Sequence, residues 1–159
     1  MDVRRIATAL LLLGAICLLP LAASAQSDEA YIKYRQKVMG SLGQNMGGIG
    51  DILKEKLPLQ ENIPAHAAAI SESAKAIAAA FKHKVTEGKT DALPGIWSDL
   101  KDFAAKADDA SKEAAKLAEV ARGGNMEAIG AQVKKLGGTC GACHKEYRKK
   151  KEDSYKSKM

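Results

Sequence analysis

Two thiols and an imidazole stand within five residues in Cys140-Gly141-Ala142-Cys143-His144. Residues three and four apart share one face of an α-helix, so both sulfurs can reach the same flat molecule while the next side chain turns a ring nitrogen towards its centre. The pattern is the C-x-x-C-H signature of covalent c-type haem attachment. Cys140 and Cys143 are expected to hold one haem c through its two vinyl groups, and His144 to be the proximal iron ligand. Gly141 and Ala142 carry little or no side chain, which lets a macrocycle come close to the backbone.

Other chemistry for the pair fits the chain less well. A structural zinc site needs four ligands, usually a second Cys pair or a His pair at matching spacing, and the one other cysteine, Cys17, lies in an apolar N-terminal run. That run, Ile6 to Leu21, follows Arg4 and Arg5 and leads into Ala23-Ser24-Ala25. These are the basic, apolar and small-residue parts of a cleavable secretory signal. At about 16 residues the run is shorter than the roughly 20 that a membrane-spanning helix needs. Residues 1–25 are therefore expected to be a cleaved signal peptide, with Gln26 as the first mature residue, no retained membrane anchor and export to a bacterial periplasm. Ile16 stands where lipidation of Cys17 would require a small residue. A thioredoxin-like dithiol belongs beside a β-α-β pattern, which is absent. A plain disulfide suits an oxidising compartment but leaves the adjoining His144 without a role.

The elements that must position the motif follow from the apolar spacing. Residues 29–57 read as a first helix through Tyr31, Arg35, Val38, Leu42, Met46, Ile49 and Leu53. Gly40, Gly43, Gly47, Gly48 and Gly50 fall inside it, each costing about 1 kcal/mol relative to Ala, a cost that invites close approach by a neighbouring backbone or a flat cofactor. Asn62 is expected to cap a second helix with Pro64 in its first turn, carrying Ile70, Ala74, Ile77, Phe81 and Val85 and closed by Gly88. A third helix carries Trp97, Leu100, Ala104, Ala107, Ala114, Leu117 and Ala121 and ends at Gly123-Gly124. Asn125 caps a fourth, in which Ile129, Val133, Leu136, Cys140, Cys143 and Tyr147 recur at spacings of three and four, so both cysteines face the core.

The expected fold is all-α, an antiparallel up-down-up-down four-helix bundle with covalently bound haem c. The 159 residues suit one domain, here residues 26–151, followed by a charged C-terminal tail over 152–159. From Lys145 onwards there are seven Lys or Arg against three acids, and the last residues, lacking an apolar pattern, are expected to fray. Only 4% of residues are aromatic, leaving interior volume for another group. The net charge of +6 suits an acidic partner. Nucleic-acid binding is not expected of an exported chain with so few stacking side chains.

A C-x-x-C-H close to the C-terminus of a four-helix chain reverses the arrangement of the usual small cytochrome c. In this the chain resembles class II cytochrome c, the cytochrome c′ family, including its low-spin Met-ligated members. The resemblance covers about residues 28–151. It is carried by Tyr31-x-x-Tyr34-Arg35-Gln36 with Met39, by Ile96-Trp97, and most specifically by Gly137-Gly138-Thr139-Cys140-Gly141-Ala142-Cys143-His144-Lys145-Glu146-Tyr147-Arg148. It implies a bundle that is often a homodimer through its first two helices, with electron transfer or binding of small gases at the iron. It also implies that Arg35 and Gln36 lie near the haem propionates, that residue 39 faces the iron on the distal side, and that Asp91 stands near the haem edge.

Helix depth narrows the sixth ligand. An iron near the end of helix four faces the early turns of helix one and the late turns of helix two, where Met39 and His83 lie. Met46 is two turns deeper at about 1.5 Å per residue, whereas Met126 and His66 begin helices at the far end. Lys82 and Lys84 flank His83, so a solvated position is expected for it. Met39 is the expected distal ligand, in a six-coordinate electron carrier that meets redox partner proteins, acidic ones being favoured by the charge. The alternative is a five-coordinate high-spin protein that binds nitric oxide or carbon monoxide, with Met39 as an unligated lid. An enzyme is not expected, because Met39, Leu42 and Met46 offer no acid or base over the iron.

Overall fold

The computed structural model describes residues 27–158. The signal sequence expected over 1–25, the mature start at Gln26 and Met159 lie outside them.

Helix α1 spans Asp28–Lys54. Ser27 caps it by accepting the Ala30 amide at 3.3 Å, a cap that orders the free N–H groups of the first turn. It stops three residues short of the expected 57, because Lys56 takes up a left-handed conformation, φ 52°, and turns the chain before Pro58. Helix α2 covers Ile63–Lys75 with Pro64 in its first turn; Asn62 is already helical and its side chain makes no cap bond, contrary to expectation.

The second helix also ends early. Ala76 interrupts it, a single turn α3 follows over Ile77–Ala80, and the expected run to Gly88 does not form. Side chains take the carbonyls that a continuing helix would need. Arg35 donates to the carbonyl oxygens of Ala80, His83 and Val85, and Trp97 Nε1 donates to that of Phe81 at 2.7 Å. Phe81 and Val85 are buried all the same, so their apolar character was informative where their assumed helical geometry was not.

Trp97 sits on a separate turn, α4, Gly95–Ser98. Asp99 breaks the chain at φ −140° and ψ 71°, then caps α5, Leu100–Arg122, by accepting the Asp102 amide at 2.9 Å. The break resets the helical phase. The buried stripe at the start of α5 is Phe103, Ala107 and Ala110, while Leu100, expected inside, is exposed. Helix α6, Met126–Tyr147, is capped as expected by Asn125, which accepts the Ala128 amide at 3.0 Å.

These elements form an all-α bundle. Helix α2 packs on α1 and α5, and α5 on α6, but α1 and α6 make no comparable backbone approach. The end remote from the cysteines is filled by Ile49, Ile63, Leu117 and Ile129, each inaccessible to solvent. At the other end, residues 91–93 run antiparallel to 147–149, with Leu93 N–H donating to Tyr147 at 3.0 Å and Lys149 N–H to Asp91 at 2.8 Å. The segment beyond does not fray as expected. Single 3-10 turns over Lys151–Asp153 and Tyr155–Lys158 fold back, burying Ser154. Among the described residues no helix is long and apolar enough to cross a membrane.

Candidate haem site

The open α1–α6 seam holds a cavity of about 560 Å³, within the roughly 300 to 1,000 Å³ usual for cofactor sites. Met39, Leu42 and Met46 line it from α1, and Cys140, Cys143, His144 and Tyr147 from α6. Helix α5 closes the back with Phe103 and Ala107. Residues 39 and 144, 105 positions apart in sequence, thus meet at one cavity because two helices of the bundle leave their shared seam unfilled.

The donor set fits a covalent haem. Cys140 and Cys143 are unpaired thiols on one half-buried helix face. Burial pushes both thiols above their ordinary pKa, so they stand as neutral S–H groups. Burial, aided by the nearby Arg148 charge, lowers the His144 pKa and favours the neutral imidazole that a metal requires. A β-carbon built on Gly40, Gly43 or Gly141 would meet nothing within 4 Å. The first two open onto the cavity, in keeping with a flat group between the helices. Gly48 has a different reason, for a β-carbon there would lie 3.1 Å from the His66 ring. No cluster of three His, Cys, Asp or Glu able to hold a bare metal ion occurs among the described residues.

Arg35, Gln36 and Asp91 also line the cavity, and each has protein partners. Arg35, only 3% exposed, places its guanidinium 4.8 Å from the Phe81 ring centre and 5.2 Å from that of Trp97. Three of its nitrogens donate to the carbonyls named above, which leaves two of the five guanidinium N–H groups for other acceptors. Gln36 Nε2 donates to the Lys89 carbonyl at 2.8 Å and to Tyr155 Oη at 3.0 Å. Asp91 accepts from Ser154 Oγ at 2.8 Å and from the Tyr155 amide at 3.0 Å.

His83 does not line the cavity. Its Nε2 lies 2.7 Å from Asp28 Oδ1 and its ring stacks on Tyr31 with centres 4.1 Å apart. The cavity-wall residues that escaped sequence reasoning include Phe103, Lys106, Tyr155 and Lys156. Lys106 is one turn beyond Phe103, and correct phasing of α5 would have revealed it. Tyr155 and Lys156 had no periodic signal.

A family model described as Cytochrome C′ matches residues 30–148. The chain is 37% identical to a cytochrome c′ of Rhodospirillum rubrum, with 79% of this chain and 86% of that protein aligned. It is 38% identical to cytochrome c-556 of Agrobacterium tumefaciens, over 74% of this chain and 94% of the relative. Among solved structures it is similar to cytochrome c prime from Shewanella frigidimarina, with TM-score 0.73, 29% identity, and 79% and 99% of the two chains covered. A variant of cytochrome c prime from Alcaligenes xylosoxidans, solved as a nitrosyl complex, matches with TM-score 0.68 at 30% identity, covering 77% and 96%.

Proposed function

The chain belongs to the cytochrome c′ family, and from that premise we propose that it is a periplasmic single-electron carrier. Cys140 and Cys143 hold one haem c as thioethers, His144 is the proximal iron ligand and Met39 the distal one. The observation that carries this reading is that Met39 lines the same cavity as both thiols and His144, from the facing helix α1. When bound, haem iron supplies one-electron redox chemistry at a potential tuned by its axial ligands, burial and nearby charge.

The remaining residues serve that role without acting on a substrate. Leu42, Phe103 and Ala107 exclude water from the cavity. Arg35 brings a buried positive charge to the haem edge and keeps two N–H groups for a propionate, and Gln36 and Asp91 stand on the same rim. The α1 wall around Met39 presents Leu42 and Met46 and offers no acid or base to move a proton. Arg148 and Lys156 put positive charge at the mouth, which steers an acidic redox partner towards it. Export rests on the signal sequence of residues 1–25.

Two observations favour a second reading. The similar Alcaligenes xylosoxidans structure is a nitrosyl complex, and Gly40 and Gly43 leave open space beside Met39. In that reading Met39 is a lid over a five-coordinate iron that binds small gases. The visible spectrum of the ferrous protein before and after carbon monoxide separates the two. Sharp, split low-spin bands that resist the gas support Met39 ligation. A broad high-spin band that shifts readily would replace the electron carrier with the gas binder.

A further inference from the structure

The family match ends at residue 148, yet the chain beyond it returns to the mouth of the cavity. Lys149 begins the return, its amide donating to the Asp91 carbonyl at 2.8 Å and its Nζ to that of Thr90 at 3.1 Å. The Asp91 carboxylate then takes Ser154 Oγ on one oxygen and the Tyr155 amide on the other. From α1, Gln36 donates to Tyr155 Oη. Lys151 and Glu152 stay away from the cavity, whereas Tyr155 and Lys156 line it.

The groups gathered at this rim share one character. Tyr155 Oη accepts from Gln36 and keeps its own proton to donate. Lys156 has no carboxylate partner within 4 Å among the described residues. Arg35 retains two N–H groups. The one carboxylate among the described residues that line the cavity, Asp91, has both oxygens occupied by the returning segment. Such a set of donors and positive charge suits an anion with oxygen acceptors.

We propose that the segment after residue 148 supplies two further haem-binding residues, Tyr155 and Lys156, which take a haem carboxylate at the cavity mouth, with Asp91 as the latch that positions them. The proposal rests on the haem reading above. Lys156 acts through charge, stabilising the reduced haem, which carries one positive charge fewer than the oxidised form.

The test is a redox titration of the haem-loaded full chain at low ionic strength, comparing wild type with Lys156→Gln, Lys156→Arg and Lys151→Gln. At fixed applied potential K156Q is expected to lower the reduced-to-oxidised ratio about threefold, from Coulomb's law for partly solvated charges, or about 28 mV at 59 mV per tenfold. K156R should keep the wild-type ratio, K151Q should move it less than K156Q, and added salt should shrink the difference. An unchanged ratio in K156Q, an equal drop in K151Q, or a drop in K156R matching that in K156Q would overturn the proposal. Protein that acquires no covalent haem at all would instead refute the reading on which it rests.

Discussion

Tyr147 donates its phenolic hydroxyl to Asp102 Oδ2 at 2.5 Å, tying the last residue of α6 to the first turn of α5. Lys106 adds a second tie, lying 3.4 Å from Asp102 and 3.3 Å from Glu146. The Tyr147 ring meets Phe103 edge-on at 5.3 Å. The turn that carries His144 is thus braced against α5 by a polar clamp at its surface and an aromatic contact beneath.

The clamp makes stability depend on acid. The Tyr147 hydrogen bond, helped by Lys106, holds the Asp102 carboxyl below its ordinary pKa of 3.8. A group whose folded pKa is depressed stabilises the fold fully above its unfolded value, and the contribution is lost as pH falls through the folded value. The melting temperature of Tyr147→Phe should therefore lie below wild type at pH 7, and the gap should narrow as both are titrated from pH 4 towards pH 2. A gap that stays constant over that range would show that Asp102 is not the linked group.

Arg35 should behave as a structural keystone in addition to its proposed place at the haem edge. Arg35→Met leaves the Ala80, His83 and Val85 carbonyls without their donors and removes the cation between Phe81 and Trp97. The expected loss is about 3 kcal/mol, the scale of buried hydrogen bonds to a charged group. Arg35→Lys should recover little of it, because an ammonium lacks the planar fork that reaches several acceptors. Denaturant unfolding of the two variants checks both statements, and a Lys variant as stable as wild type would contradict them.

Cys140→Ala and Cys143→Ala should each lower the yield of stable holoprotein, and the double variant should retain no haem after denaturation. Haem staining of a denaturing gel reads this directly. Full covalent attachment in the double variant would refute the assignment of both thiols.

Much of the site was legible because its chemistry is local. Cys140, Cys143 and His144 fall within one and a half helical turns, so their shared face follows from helix geometry alone. Asn125 and the α6 stripe were legible for the same reason. The α2 and α4–α5 errors have the opposite origin. Arg35 and Trp97 donate across 45 and 16 residues to carbonyls at the end of α2–α3, and a periodicity count contains no term for such distant competition. At Asp99 one backbone break shifted the phase that linked Trp97 to Leu100.

The sequence by itself therefore determined the C-x-x-C-H motif, the helical class and the thiols' inward face, since each depends on residues within a few turns. The tertiary structure alone decided that α1 and α6 leave an open seam, that Phe103 and Lys106 line the cavity from α5, and that Tyr155 and Lys156 return to its mouth. These facts depend on contacts between segments up to 119 residues apart, where side-chain packing and long-range hydrogen bonds outweigh local preference.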